Sequence, residues 1–128
     1  MPAVLIDTDV AIDYLRGDQE TRPLVDALLL EGSAVLSVLS VYELTAGMRD
    51  REKTATMDFI AACSQLELTA EIAAKGGELY RKYRSKGITL AALDCLIAAT
   101  ALTKGLKIAT RNVKHYPERG LLVNLENS

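Results

Sequence analysis

The acidic residue Asp94 stands in surroundings where a carboxylate is costly. It is the only charged residue between Lys86 and Lys104, in an alanine- and leucine-rich stretch that predicts a helix apolar on nearly all sides. Burying an ionised carboxylate there is unfavourable unless a cation or several hydrogen-bond donors meet it. Asp94 is therefore the first candidate for chemistry. The simpler alternatives are an Asp on the solvent side of the helix, or one paired with a structural arginine.

Three more acids have simple structural explanations when each is taken alone. Asp7 and Asp9 follow an apolar run at the start of a predicted helix, where Asp commonly caps the N-terminus. Glu43 completes the capping-box pattern Ser-x-x-Glu that begins at Ser40. All three, however, follow predicted strands, and the carboxyl ends of parallel strands meet at one edge of a sheet. This shared position predicts an acidic cluster that also includes Asp94.

A cluster of carboxylates without histidine or cysteine ligands predicts a hard divalent cation. Carboxylates held together repel one another unless they protonate or share a cation, and oxygen ligands select Mg²⁺ or Mn²⁺. The single histidine, His115, and the isolated cysteines Cys63 and Cys95 exclude sites that need several such ligands. The chemistry predicted is metal-dependent cleavage of a phosphoryl or phosphodiester bond.

The charge balance excludes a protein that holds nucleic acid only through a general positive field. There are 15 Lys and Arg against 17 Asp and Glu, a net charge of −2. A phosphate-bearing substrate must therefore meet local cations or a bound metal. Arg111, after a late predicted strand, is the better single candidate for a phosphate contact. Four cations lie within residues 81–86, which we interpret as a solvated helix end in preference to a phosphate track.

The elements that must position these residues alternate between short apolar strands and helices. Predicted strands cover residues 4–6, 34–38, 66–68 and 107–110, with 121–123 as a candidate fifth strand. Predicted helices cover residues 9–15, 23–31, 40–49, 52–63, 70–86 and 90–104. This alternation predicts crossover connections and a central parallel sheet of four to five strands with helices on both faces. The fold class is α/β, as one three-layer domain over residues 1–128.

The composition predicts a globular cytoplasmic protein. Hydrophobic residues make up 49% of the chain and charged residues 25%, a balance typical of folded rather than disordered proteins. The two lone cysteines suit a reducing compartment. We expect neither a signal peptide before the first strand nor a membrane span, because no uncharged stretch is long and apolar enough.

Four segments together resemble the PIN-domain nucleases, and in particular the VapC-type toxins of bacterial toxin–antitoxin pairs. They are Leu5-Ile6-Asp7-Thr8-Asp9-Val10, Ser40-Val41-Tyr42-Glu43-Leu44, Leu93-Asp94-Cys95-Leu96-Ile97-Ala98-Ala99-Thr100-Ala101 and Ile108-Ala109-Thr110-Arg111-Asn112-Val113. Their order and spacing follow the family over essentially the whole chain. The first segment alone is a weak signal, whereas the four together are specific.

The resemblance implies a magnesium-dependent endoribonuclease, with Mn²⁺ as a substitute ion, that cleaves RNA phosphodiester bonds with a metal-activated water. Carried over by position, Asp7 and Asp94 are the metal ligands and Glu43 is a third member of the catalytic cluster. Asn112 stands where many members of the family have a fourth acid, a departure that weakens a second metal site. The residues implied to support these acids or to contact RNA are Thr8, Asp9, Thr110 and Arg111.

The resemblance also implies partners. VapC-type toxins form homodimers and are neutralised by a cognate antitoxin, whose tail lies in a groove and directs a basic side chain toward the acids. Two alternatives stay open. Asn112 allows a PIN-like module that binds RNA or protein without catalysis. The segment after the first strand also resembles haloacid-dehalogenase-like phosphatases with Asp7 as nucleophile, although the acidic pair those enzymes carry after a later strand is missing.

Overall fold

Short parallel strands form a sheet between two layers of helices in the computed structural model, which describes residues 2–123 and 125. The strands are β1 (Val4–Ile6), β2 (Ala34–Ser37), β3 (Ser64–Leu66) and β4 (Lys107–Ala109). The helices are α1 (Thr8–Leu15), α2 (Arg22–Leu30), α3 (Val38–Gly47), α4 (Lys53–Ala62), α5 (Ala70–Arg84) and α6 (Ala92–Lys104). Short 3₁₀ turns cover Asp50–Glu52, Val113–His115 and Arg119–Leu121.

The strand order β3-β2-β1-β4 determines where a site can form. All neighbouring strands are parallel, and Leu5 of β1 lies opposite Val35 of β2 on one side and Ile108 of β4 on the other. The chain proceeds outward from β1 to β3 and then returns to place β4 on the far side of β1. The strand order therefore reverses between β1 and β4, and in open parallel sheets ligands bind beyond the carboxyl ends of the strands at that point.

Successive residues of the strands face two separate apolar cores, which confirms the predicted three-layer arrangement. Ile6 packs with Val10 and Leu28 on the face covered by α1 to α4. Leu5 packs with Ile72 on the face covered by α5 and α6. Right-handed crossovers place helices on opposite faces when the chain reverses direction across the sheet. Both faces of the central strands are buried, which explains why they are continuous apolar runs rather than alternating ones.

Two glycines hold α6 against α5 and β4. At Gly76 of α5, a Cβ atom would lie 2.9 Å from Cδ2 of Leu96, so the end of the Leu96 side chain packs against the bare backbone of α5. Gly105 adopts a left-handed conformation (φ 67°) that ends α6 and turns the chain toward β4. The N-terminus of α6 consequently lies at the carboxyl edge of the sheet. Within residues 2–123 and 125, no helix has the length and apolar character needed to cross a bilayer.

The predicted capping box at Ser40 is wrong. The helix α3 begins at Val38, directly after β2, and its cap is Ser37, whose side-chain oxygen accepts the N–H of Leu39 over 3.1 Å. Ser40 is buried inside the helix. Glu43 is therefore not held by a helix cap, and its position needs another explanation.

The third strand and the candidate fifth strand also differ from prediction. β3 begins two residues before the predicted 66–68, because the chain becomes extended almost as soon as α4 ends. Residues 121–123 contribute one bridge, between Leu122 and Ile108, since a 3₁₀ turn that begins at Arg119 takes up part of the segment. The sheet of the described residues has four strands, at the lower end of the predicted range.

Candidate active site

Asp7 is a buried carboxylate at the point where the strand order reverses. It caps α1, where its Oδ1 accepts the N–H of Thr8 over 2.9 Å. Its Oδ2 accepts the hydroxyls of Thr110 at 2.8 Å and Tyr116 at 3.0 Å. Burial raises the pKa of Asp7 above its ordinary value of 3.8, the three donors oppose this, and the charge of Asp94 raises it further. Among the described residues Oδ1 accepts one hydrogen bond, so one of its two acceptor directions remains.

Thr8 joins Asp7 to Glu43. Its hydroxyl donates to Oε1 of Glu43 over 2.7 Å. The hydroxyl oxygen of Thr8 also lies 3.0 Å from Oγ of Ser40. The early start of α3 brings Glu43 to this edge, because the helix leaves β2 beside β1. The side chain that sequence reasoning assigned to a capping box instead accepts a hydrogen bond from the residue that follows Asp7.

Asp94 lies at the rim of the site rather than in the interior of a helix. The helix α6 begins at Ala92, so Asp94 is in its first turn, where a negative charge suits the helix dipole. Its side chain is 20% exposed, and its Oδ2 lies 3.2 Å from Nδ1 of His115. Burial raises the pKa of Asp94, the charge of His115 lowers it, and the charges of Glu43 and Asp9 raise it again.

Arg111 connects the loop after β4 to the region of α1. Its backbone N–H donates to Oδ2 of Asp9 over 2.9 Å. Its guanidinium pairs with Asp13 at 3.3 Å, Asp18 at 2.5 Å and Glu20 at 3.7 Å. Burial and the charge of Asp7 raise the pKa of Asp9. The charge of Arg111, predicted to contact phosphate, is thus already balanced by carboxylates of the protein.

Asn112 is placed next to the site but is not drawn into it. Its backbone N–H donates to Oγ1 of Thr110 over 3.0 Å, and Thr110 in turn donates to Asp7. Its side chain makes no hydrogen bond with the part of the chain that the structure describes. The structure therefore connects Asn112 to the acids through Thr110, and a catalytic role for its amide stays a prediction.

Four carboxylates form what we term the acidic cluster: Asp7, Asp9, Glu43 and Asp94. In three of them the charge of another member raises the pKa, so the carboxylates are close enough to repel one another. Across residues 2–123 and 125, no group of three or more His, Cys, Asp or Glu side chains is arranged to hold a metal ion. A hard ion such as Mg²⁺ does not need such a group, because it is usually held by one or two carboxylates with water and substrate oxygens. The donor set fits such an ion.

The sequence matches the PIN domain family over residues 4–116. This chain belongs to the PIN-domain family. It is 40% identical over 114 residues to the ribonuclease VapC19 of Mycobacterium tuberculosis, covering 88% of this chain and 91% of that protein. It is 36% identical over 114 residues to the ribonuclease VapC10 of the same organism, covering 89% and 86%. The predicted VapC-type resemblance is confirmed, and membership in this family argues against the phosphatase alternative.

Solved structures agree with this PIN domain in fold. FitAcB from Neisseria gonorrhoeae is 26% identical with a TM-score of 0.80, covering 95% of this chain and 97% of that one. A toxin–antitoxin complex from Klebsiella pneumoniae contains a chain that is 22% identical with a TM-score of 0.81, covering 96% and 98%. A DNA-bound VapBC complex from Salmonella typhimurium gives 20% identity, a TM-score of 0.81 and coverage of 95% and 96%.

Two residues of this PIN domain touch the acidic cluster without having been assigned to it from sequence. Tyr116 is 1% exposed and donates to Asp7, and its hydroxyl also lowers the pKa of Asp94. His115, the single histidine, has no site role in the sequence analysis, yet its Nδ1 lies 3.2 Å from Oδ2 of Asp94. Both lie in an irregular loop that has no periodicity to indicate which side chains turn inward. The one signal for these two residues was chemical, because a buried Asp needs hydrogen-bond donors and Tyr and His can supply them.

Proposed function

We propose that this PIN domain is a metal-dependent endoribonuclease and the toxin of a VapBC-type toxin–antitoxin pair. The acidic cluster carries the proposal. Among the described residues no lysine or arginine side chain pairs with Asp7, Glu43 or Asp94, so the negative charge of these groups is left for a cation. The relatives named VapC ribonucleases support RNA as the substrate.

Asp7 and Asp94 would hold Mg²⁺, with Mn²⁺ as a substitute. When bound, such an ion stabilises negative charge on a phosphate and lowers the pKa of water. The protein's own residues prepare the site for both tasks. Thr110 and Tyr116 fix the Asp7 carboxylate through Oδ2, which directs the remaining acceptor of Oδ1 away from them. Thr8 holds Glu43 through Oε1, and Oε2 is left to accept a hydrogen bond from water.

Residues beside the acidic cluster would contact RNA or hold the neighbouring loop in place. His115 is half-exposed beside Asp94 and faces the substrate side of the rim. Asn112 is exposed one turn earlier in the same loop, in reach of RNA rather than of the acids. Asp9 and Arg111 hold the loop after β4 against α1. The two buried cysteines, which form no disulfide, fit a reducing cytoplasmic compartment.

Cleavage of mixed total RNA tests the proposal. The unmodified protein is compared with Asp94→Asn, in Mg²⁺, in Mn²⁺ and with chelator, and the matched control is Asp58→Asn, an exposed acid on α4. We expect cutting with either ion, none with chelator, none with Asp94→Asn and full activity with Asp58→Asn. The new ends should carry a 5′-phosphate and a 3′-hydroxyl. Equal cutting by Asp94→Asn would contradict the assignment of the site.

A binding module without catalysis is the second candidate, and the exposed side chain of Asn112 favours it. In that case the folded protein binds RNA but leaves it intact in every divalent ion tried. The same RNA mixture, examined for retention as well as cleavage, separates the two functions.

An antitoxin is the proposed protein partner. An apolar groove between α1, α3 and α4 is lined by Ile12, Leu15, Leu44 and Met48, with Glu43 and Glu52 at its side. An amphipathic segment in this groove would place a Lys or Arg near Glu43, where it neutralises the cluster as a cation does. Coexpression with the product of the neighbouring small gene should give a stable, inactive complex.

We also propose that the protein forms a homodimer. Light scattering of the purified protein measures the mass of the assembly and so tests this.

A further inference from the structure

We propose that the RNA strand leaves the acidic cluster across a lysine pair, Lys82 and Lys86, at the C-terminal end of α5. The inference rests on the proposed function, because it assigns a path to the substrate of that site. RNA needs cations along its backbone, and a chain with a net charge of −2 must concentrate them locally.

The flank of the cluster near α1 is closed to a polyanion. Arg111 lies there, and its guanidinium is paired with Asp13, Asp18 and Glu20. Three carboxylates around one guanidinium leave this flank negative. A phosphate that approached Arg111 would have to displace one of its partners and face the others.

The opposite flank leads from Asp94 to α5. The ring of His115 meets Asp94, and one small cavity is lined by His115, Glu118 and Tyr83 of α5. Nζ of Lys82 donates to Oε1 of Glu118 over 2.9 Å. The loop after β4 therefore connects the acidic cluster directly to the C-terminal end of α5.

The two lysines lie against the same ring, that of Tyr83, although Lys82 belongs to α5 and Lys86 to the turn after it. Their Nζ atoms lie 5.2 Å and 5.5 Å from the ring centroid of Tyr83, and the charges of both lower the pKa of Glu118. Lys86 is exposed and pairs with no carboxylate of the described residues. The single carboxylate of Glu118 does not neutralise both ammonium groups, so a positive charge remains. The exposed cations Lys114 and Arg119 belong to the same loop as Glu118. This flank is positive, and it begins next to the site.

The placement changes the interpretation of residues 81–86. The sequence alone favours a solvated helix end for these residues. That interpretation would hold for a helix end far from the acidic cluster. The contact between Lys82 and Glu118, however, places the end of α5 beside the loop that carries His115. Lys82 in the last turn of α5 and Lys86 in the turn that follows it present two positive charges beside this loop, to which the phosphates of a strand can bind.

RNA binding at several salt concentrations tests the proposal. A short labelled single-stranded RNA of mixed sequence is titrated with chelator present and in the Asp94→Asn background, so that no RNA is cut. The test variant adds Lys82→Gln and Lys86→Gln. The matched control adds Lys104→Gln and Lys107→Gln, which remove the same charge at the exposed opposite edge of the sheet.

We expect the dependence of log K on log salt to become shallower by about 1.4 in the test variant, because each phosphate contact on a single strand contributes about 0.7. The control should keep the parent slope. Equal slopes for test and control would overturn the path while leaving the proposed function intact. Absence of RNA binding by the parent, together with absence of cleavage by the unmodified protein, would instead overturn the proposed function and the path with it.

Discussion

The hydroxyl of Tyr116 donates to Oδ2 of Asp7 over 3.0 Å, although the two residues are 109 positions apart. Burial and the charge of Asp7 raise the pKa of Tyr116 far above its ordinary value, so the hydroxyl keeps its proton and remains a donor. Thr110 donates to the same oxygen at 2.8 Å. Through these two contacts the segment after β4 fixes the carboxylate that follows β1.

Replacing Tyr116 with Phe removes one of the three donors to Asp7 with little change of shape. Because that donor lowers the pKa of Asp7, we expect the pKa to rise further and the acid limb of the pH–cleavage profile to move to higher pH. The free energy of unfolding should fall by about 1–2 kcal/mol. The profile of kcat/KM against pH, with Tyr80→Phe on α5 as the control, measures the effect. An unchanged acid limb would show that Asp7 is not the titrating group.

The raised pKa of Asp7 predicts that its ionisation lowers the stability of the metal-free protein at neutral pH. A carboxyl whose pKa is raised in the fold stabilises the folded state below the ordinary pKa of 3.8, and this contribution is lost as the pH rises through the raised value. Asp7→Asn cannot ionise. We therefore expect it to raise the free energy of unfolding at neutral pH by about 1 kcal/mol, the scale typical of a stabilising change at a functional site.

Denaturant unfolding over a pH series, with and without Mg²⁺, measures this effect. The advantage of Asp7→Asn should shrink as the pH falls through the titration of Asp7. Mg²⁺ should stabilise the unmodified protein by binding the folded state and should do so much less in the variant. If Mg²⁺ stabilises both proteins equally, Asp7 is not a ligand of the ion.

The sequence indicated the position of the acids better than their contacts. Asp94 stood out because it was alone among apolar residues, and Asp7 because it ended a buried strand; both signals are local. The partners of Arg111 come from α1 and the segment after it, some 90 residues away. A single cation in a sequence does not indicate which carboxylates will surround it. Tyr116 is buried by packing between α5 and α6, so its role depends on the complete fold.

Arg111 is predicted to position the loop after β4 rather than to bind phosphate. Arg111→Gln leaves Asp13, Asp18 and Glu20 without their shared cation, and their repulsion should lower the Tm. The loss should be larger at low salt, because ions screen exposed carboxylates. We expect kcat to fall because the loop shifts and Asp9, which accepts the backbone N–H of Arg111, shifts with it. KM for RNA should stay close to that of the unmodified protein.

The kinetic measurement distinguishes the two roles of Arg111. Arg111→Lys keeps the charge but lacks the planar fork that engages several carboxylates, so it should restore stability only in part. A phosphate contact would behave differently: KM would rise in Arg111→Gln with an unchanged Tm, and Lys would restore much of the binding. That pattern would show that Arg111 binds phosphate, as its position in the sequence predicts.

Thr8 is predicted to set the position of Glu43. Thr8→Val keeps the shape and the backbone N–H that Asp7 accepts, but it removes the hydroxyl that donates to Glu43 over 2.7 Å. A misplaced catalytic group commonly costs up to about a hundredfold in rate, so we expect kcat to fall roughly tenfold or more with little change in KM. Thr8→Ser, which retains the hydroxyl, should recover most of the activity. If Ser and Val variants are equally impaired, the methyl packing of Thr8 matters and the link to Glu43 does not.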